Sequence, residues 1–392
     1  MPEPGSRAFD VVVFGATGFT GGLTAAELAR RAPEGCRWAI AGRDRVRLEG
    51  VRAGLAADDP LLADLPLVVA DVADAASMRD LAASTRVLVT TVGPYLRHGE
   101  PVVAACAAEG TDYLDLTGEA EFVDLTWLRH HATAERSGAR LVHAAGFDSI
   151  PHDLGARFTV EHLPEGVPLT VHGYVRAMGR FSGGTAASAL GFLGRIREGR
   201  SAAAERRRVE GPPPRPVTLT RGPMRDEGAW SLPFPGIDAQ IVLRSAAALE
   251  RYGPAFSYSH NFVVGPLPVV PVAVAGVGLV ALLAQVGPVR GWLERLVPAG
   301  TGPTEEQRAR SRFEVRFVGT GGGRRVVTHV TGGDPGYTET SKMLAESALC
   351  LAHDDLPAVA GQTTTAVAMG EALTARLVAA GISFEVLEEG PS

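Results

Sequence analysis

Lysine is almost missing from this chain. Lys342 is the only one among 38 basic residues, so none is spare for Schiff-base chemistry. Cysteine is scarce too: Cys36, Cys106 and Cys350 lie far apart with no C-x-x-C pair. That argues against a metal site and a disulfide framework, and it fits a reducing, cytoplasmic setting. The start of the chain has no basic, then apolar, then small-residue leader pattern. Positive charge is not in excess; a net charge of −6 argues against nucleic acid as a partner. No nucleophile–histidine–acid pattern, P-loop or metal-ligand cluster is legible, and no internal repeat. One absence is local: residues 252–289 contain no Asp, Glu, Lys or Arg.

What is present begins with Phe9-Asp10-Val11-Val12-Val13-Phe14, a β-branched run that reads as a buried parallel strand. It runs into Gly15-Ala16-Thr17-Gly18-Phe19-Thr20-Gly21, three glycines spaced G-x-x-G-x-x-G, and then into a helical pattern from about 23 to 31. Strand, glycines and helix in that order form a dinucleotide fingerprint. Glycine lets the backbone turn sharply and approach a pyrophosphate, and the helix turns its N–H groups and positive dipole end toward that anion. Thr17 and Thr20 can add hydroxyl hydrogen bonds.

A second strand ends in Ala41-Gly42-Arg43. This point lies over the adenosine ribose, where an acid suits a free 2′-hydroxyl and an arginine fork suits a 2′-phosphate. Arg43 therefore favours NADP(H) over NAD(H), although Asp44 beside it could serve a hydroxyl. A third strand, 67–72, ends in Asp71-Val72, expected at the adenine. A fourth, 86–95, ends in Val92-Gly93-Pro94-Tyr95, expected at the nicotinamide end with His98 nearby. Strands at 113–116 and 140–145 complete six, alternating with helices, which predicts an α/β fold: a Rossmann-type doubly wound parallel sheet. In such sheets ligands collect at the carboxyl ends of the strands.

Gly15–Gly21, Ala41-Gly42-Arg43, Val92–Tyr95, Tyr113-Leu-Asp-Leu-Thr-Gly-Glu119 and Ala145-Gly-Phe-Asp-Ser-Ile-Pro151 together resemble the saccharopine dehydrogenase-like oxidoreductases. The nearer likeness is to the branch of trans-acting enoyl reductases, found beside actinobacterial polyketide and lipid synthases. Gly332-Gly-Asp-Pro-Gly-Tyr337, Met343–Ala348 and Ala368–Leu373 share it. The resemblance implies an NADP(H)-binding Rossmann domain, an inserted α+β substrate domain, C-terminal helices returning to the first domain, and hydride transfer to an activated double bond. The corresponding ranges are 1–150, 151–337 and 338–392. The clustered basic residues that an amino-diacid substrate would need are not evident.

Within the insert, 169–175 alternates as a strand, and 186–196 reads as a helix. The arginines from Arg195 to Arg208 form either a solvated face or a landing patch for an acidic acyl carrier protein. The apolar stretch 262–286 carries Pro266, Pro268 and Pro271, which predicts an extended lead-in and then a helix over 272–285. It would wall a pocket for an apolar or carrier-bound acyl substrate, form a homodimer interface, or make a peripheral membrane contact. Two strands, 312–318 and 324–330, form a hairpin. Helices at 338–352 and 364–380 close the chain.

The reaction so predicted adds hydride to the β-carbon of an α,β-unsaturated acyl thioester, and needs a hydrogen-bond donor for the acyl oxygen and a proton for the α-carbon. Candidate donors are Tyr95, His98, Ser149, His152 and Tyr337, with Lys342 also in reach of the same segment. Glu119 and Asp148 could orient a donor or cap a helix. Three rival readings stay open: a C=N or C=O oxidoreductase on a small metabolite, a non-catalytic NADP(H) sensor, and a membrane-associated binding protein.

Overall fold

The computed structural model describes residues 7–178, 195–234, 236–265 and 302–392. The expected helix over 186–196 falls almost wholly outside these residues, and the one over 272–285 wholly so. The chain divides into two units, residues 1–146 with 337–380, and residues 147–336 with 381–392.

The first unit holds a seven-stranded sheet in the order Gly361–Thr363, Arg140–Val142, Asp112–Leu114, Thr85–Thr90, Phe9–Phe14, Trp38–Gly42, Leu67–Val69. Every neighbouring pair is parallel. Val11, Val12 and Val13 are completely buried at its centre, which is why this strand reads as an unbroken apolar run rather than an alternating one. The strand Gly361–Thr363 extends the six expected strands to seven.

Asp115 pins the far half of this sheet. It accepts from the Tyr113 hydroxyl at 2.8 Å and from the backbone N–H of Thr117 and Ala144 at 3.0 and 2.8 Å. Its Oδ2 also lies 2.6 Å from His143 Nδ1, and His143 Nε2 lies 3.2 Å from Thr126 Oγ1. Asp115, His143 and Thr126 are all buried. The group satisfies its own polar atoms across two strands and the helix Ala120–Ser137, as a buried polar network must.

The second unit is built on an eight-stranded sheet. Its order is Ser383–Pro391, Arg324–Gly332, Arg312–Gly321, Leu169–Met178, Phe256–Gly265, Ala229–Pro233, Met224–Asp226, with Val217–Leu219 also paired to Phe256–Gly265. Phe256–Gly265 runs parallel to Leu169–Met178 and to Val217–Leu219. The hairpin strands extend to Gly321 and from Arg324, so only Gly322 and Gly323 make the turn, with φ of +56° and +74°. Two positive φ values are what a two-residue I′ hairpin requires. The helix Ile150–Glu161 lies close on this sheet at Gly155, where a Cβ would stand 2.4 Å from the Phe317 ring.

The chain does not end in helices alone. Ser383–Pro391 is a strand antiparallel to Arg324–Gly332, held at its rim by Arg325–Glu388 and His329–Glu385 contacts of 2.7 and 3.2 Å. Likewise the helical stretch near 364–380 is two helices, Thr365–Ala368 and Gly370–Ala379.

Candidate functional site

The glycine turn is where sequence and geometry meet most closely. The helix begins at Phe19, earlier than its apolar spacing indicates, so Gly18 is its N-cap. No side chain caps it and its first turn carries no acid. The free N–H groups and positive dipole end of this terminus are therefore left for an anion.

Gly15 has φ of +92° and donates to the Ala41 carbonyl at 2.9 Å, while its own carbonyl accepts from Gly18 N–H at 2.9 Å. A Cβ on Gly15 would meet Thr91 Oγ1 and Val92 Cγ2, both at 2.8 Å. A Cβ on Gly21 would lie 2.2 Å from the Gly15 carbonyl oxygen and 2.7 Å from Thr91 Oγ1. The cradle exists because those side chains are missing, and it fits a dinucleotide pyrophosphate.

At the end of Trp38–Gly42, Arg43 is exposed. Asp44 caps the helix Arg45–Asp58, accepting from Arg47 N–H at 3.1 Å. One oxygen of its carboxylate is thus engaged by the helix backbone, beside Arg43. Arg47, which sequence reasoning passed over, donates to the Thr17 carbonyl at 3.0 Å. A second guanidinium therefore stands against the glycine turn; only its i+4 distance from Arg43 could have flagged it. Asp71 accepts from Ala73 N–H at 3.0 Å and shapes the turn after Leu67–Val69, with Val72 beside it.

The fourth strand runs through Thr90, and Thr91 N–H donates to Phe14 O at 3.0 Å. The Gly93–Pro94 peptide is cis. Tyr95 is buried, its hydroxyl donating to Thr90 O and accepting from Leu116 N–H, each at 3.2 Å. Its ring packs on Phe122 at 5.8 Å. Glu119 accepts from Tyr95 and Leu96 N–H at 3.0 and 2.9 Å, so it caps the short helix Tyr95–His98. Burial raises its carboxyl above the ordinary range, against the pull of those two bonds. His98, half-buried, ends that helix.

The segment returning to this unit reaches the cradle. Tyr337 meets Phe19 edge-on at 4.8 Å, and Ser341 Oγ donates to Thr20 O at 3.4 Å. Lys342 is mostly buried, 2.7 Å from Glu339. Of the candidate donors, Tyr95, His98 and Tyr337 thus share a unit with the cradle.

Ser149 and His152 belong to the second unit, at the start of the helix Ile150–Glu161. Asp148 beside them is pushed up to about 6 by desolvation. His152 is drawn well below the imidazole range by burial and then by His260. Around His152 lie two residues that sequence reasoning missed, Asp238 and His260, both buried. Neither shares a motif or a helical repeat with His152, so no sequence signal joins them.

A parallel sheet whose first strand feeds a glycine turn and an uncapped helix, with arginines at the next strand's end, defines an NADP(H)-dependent oxidoreductase of the dinucleotide-binding α/β class. Residues 11–142 match the family model of the saccharopine dehydrogenase NADP binding domain. A trans-acting enoyl reductase of Mycobacterium tuberculosis is 38% identical, with 97% of this chain and 98% of that protein covered. One of Mycobacterium ulcerans is 37% identical, with 96% and 97% covered. The yeast saccharopine dehydrogenase (L-Glu forming) shares the fold at a TM-score of 0.55 and 12% identity, over 97% of this chain and all of that one. The chain belongs to the trans-acting enoyl reductase family, within the saccharopine dehydrogenase-like oxidoreductases.

Proposed function

We propose that this protein is an NADPH-dependent reductase of an activated double bond in an apolar acyl or polyketide-type substrate. The observation that carries the cofactor half is the side-chain-free cradle between Gly15, Gly21 and the uncapped helix at Gly18. The substrate half rests on relatives over 96% or more of the chain that are named trans-acting enoyl reductases.

In this reading Gly15–Gly21 hold the pyrophosphate, and Arg43 with Arg47 grips the 2′-phosphate. Ala41, Gly42, Asp71 and Val72 border the adenosine. Val92, Gly93, Pro94 and Tyr95 form the floor under the nicotinamide. The bound cofactor supplies a hydride to the β-carbon of the enoyl group. The chain must then donate a hydrogen bond to the acyl oxygen and a proton to the α-carbon. His98 and Tyr337 are the donors proposed from the unit that binds the nucleotide, and Ser149 and His152 those from the other. Tyr95 spends its hydroxyl on the backbone, so its part is to shape the floor.

The proposed carrier is an acidic acyl carrier protein. The helix Ile196–Glu210 exposes Arg197, Arg200, Arg207 and Arg208, while Arg206 is turned inward and paired with Glu210 at 2.9 Å. Among the described residues no helix is long and apolar enough to cross a membrane.

The test is absorbance at 340 nm with NADPH and an enoyl thioester, free and carrier-bound. Oxidation of NADPH with the saturated thioester as product supports the proposal. Tight NADPH binding without turnover on any enoyl thioester overturns it in favour of a sensor. Faster turnover of the carrier-bound form, lost when the four exposed arginines become glutamate, supports the docking face; equal rates for both forms overturn that part.

A further inference from the structure

The second unit contains a buried group of which the reductase reading uses His152 alone. His152 comes from the helix Ile150–Glu161, Asp238 from the first turn of the helix Asp238–Ala248, and His260 from the strand Phe256–Gly265. All three are at least nine-tenths buried. His152 Nε2 stands 3.3 Å from Asp238 Oδ1, and His260 Nε2 stands 3.6 Å from Asp238 Oδ2. The two imidazole rings meet edge-to-face with centroids 4.8 Å apart. One carboxylate thus faces an imidazole nitrogen with each of its oxygens.

These spacings are long for charge-assisted hydrogen bonds, which settle at about 2.7–2.9 Å. The ligand atoms of the three residues all lie within 4.8 Å of one another, a spacing open enough for one ion. With metal–nitrogen and metal–oxygen distances of about 2.0–2.2 Å, neighbouring donor atoms stand about 3.3–3.6 Å apart. The surroundings fit as well. The other nitrogen of His260 lies 3.4 Å from the Tyr258 hydroxyl, the kind of outer partner that orients a ligating imidazole. Among the described residues, His152 Nδ1 and, one turn away, Ser149 Oγ are buried with no hydrogen-bond partner.

Charge makes the same case. Asp148 lies near enough to Asp238 to act on it electrostatically. Among the described residues neither carboxylate is paired with an arginine or lysine. A buried carboxylate such as Asp238, with no cation beside it, is costly, and one divalent ion would offset that cost. The donor set, two imidazoles and a carboxylate with no thiolate, selects a borderline ion such as zinc over magnesium or calcium.

We infer that His152, Asp238 and His260 form a binding site for one borderline divalent cation of the zinc class, clasping two helices to the strand Phe256–Gly265 of the second unit. A fourth position would be filled by water. An ion held by His152 Nε2 leaves Ser149 as the donor proposed from this unit; the site lies wholly in one unit and its test involves neither NADPH nor turnover, so the two proposals fail separately.

The full-length protein is stripped with chelator and titrated with Zn²⁺ and with Co²⁺, without nucleotide. The expected result is one ion per chain, a visible Co²⁺ spectrum of tetrahedral type, and a zinc absorption-edge spectrum with two imidazole nitrogens and oxygen. Asp238→Asn and His260→Asn should each abolish the stoichiometric ion while circular dichroism stays that of the parent. Should either variant fail to fold, the spectra of the unaltered protein still decide. No stoichiometric uptake by the unaltered protein overturns the inference. So does a sulfur ligand in the spectrum, which would place the ion at Cys36, His353 and Asp10, the other cluster with suitable spacing among the described residues. Retained binding in a folded Asp238→Asn variant overturns it too.

Discussion

Gly21→Ala and Gly22→Ala differ by one position and should have opposite effects. A Cβ at Gly21 would sit 2.2 Å from the Gly15 carbonyl oxygen, 2.7 Å from Thr91 Oγ1 and 2.8 Å from the Gly15 carbonyl carbon. Two of those atoms are backbone and cannot swing aside, so the helix must back away from the turn. Forced overpacking of this kind costs about 1–3 kcal/mol. For a unit of this size that corresponds to a melting temperature lower by about 2–12 °C. The displaced helix also carries its N–H groups away from the pyrophosphate, so the dissociation constant for NADPH should rise at least tenfold, about 1.4 kcal/mol. At Gly22 a Cβ would meet only the Ala16 carbonyl oxygen, at an ordinary 3.6 Å. There alanine should stabilise the helix by about 0.5–1 kcal/mol and leave NADPH binding unchanged. Differential scanning fluorimetry and calorimetric NADPH titration of both variants give the comparison. Parental stability and affinity in Gly21→Ala would refute the claim that the missing side chain builds the cradle.

Three further outcomes follow from individual residues. Arg43→Ala should remove charge-assisted bonds worth about 1.5–3 kcal/mol, lowering kcat/KM for NADPH about 10- to 100-fold while leaving NADH unchanged; steady-state kinetics with both cofactors measure it. Asp115→Asn should cost about 3 kcal/mol or more by chemical denaturation, because Tyr113, Thr117, Ala144 and His143 all bear on that buried carboxylate; its NADPH affinity, measured on folded protein, should not change. Burial and then Asp10 push the half-buried Cys36 thiol up to about 11, so at pH 8 its thiolate should be about a hundredfold scarcer than that of an ordinary cysteine. Iodoacetamide labelling read by mass spectrometry should accordingly be slow at pH 8 and accelerate toward pH 11.

The first unit was largely legible in the sequence because its information is local. Val11–Phe14, the three glycines and the helix after them lie within one short stretch, and burial on both faces writes itself as an unbroken apolar run. The same locality hides what depends on tertiary contact. Gly361–Thr363 is too short to show a period, and it is a strand because Gly361, at φ of +87°, passes under His131, whose ring accepts from Gln362 N–H at 2.9 Å. Ser383–Pro391, beyond the last expected helix, is an edge strand with Arg325 and His329 opposite its glutamates. Asp44 also caps the helix Arg45–Asp58, a part that its place beside Arg43 does not announce. The His152–Asp238–His260 group joins residues far apart in the chain through three separate elements, and no spacing rule reaches that distance.

The most direct test of the account is calorimetric titration of the unaltered protein with NADPH and, separately, with NADH. The glycine cradle with Arg43 and Arg47 predicts one NADPH per chain, bound at least tenfold more tightly than NADH. No heat with either nucleotide, or equal affinity for both, would contradict it.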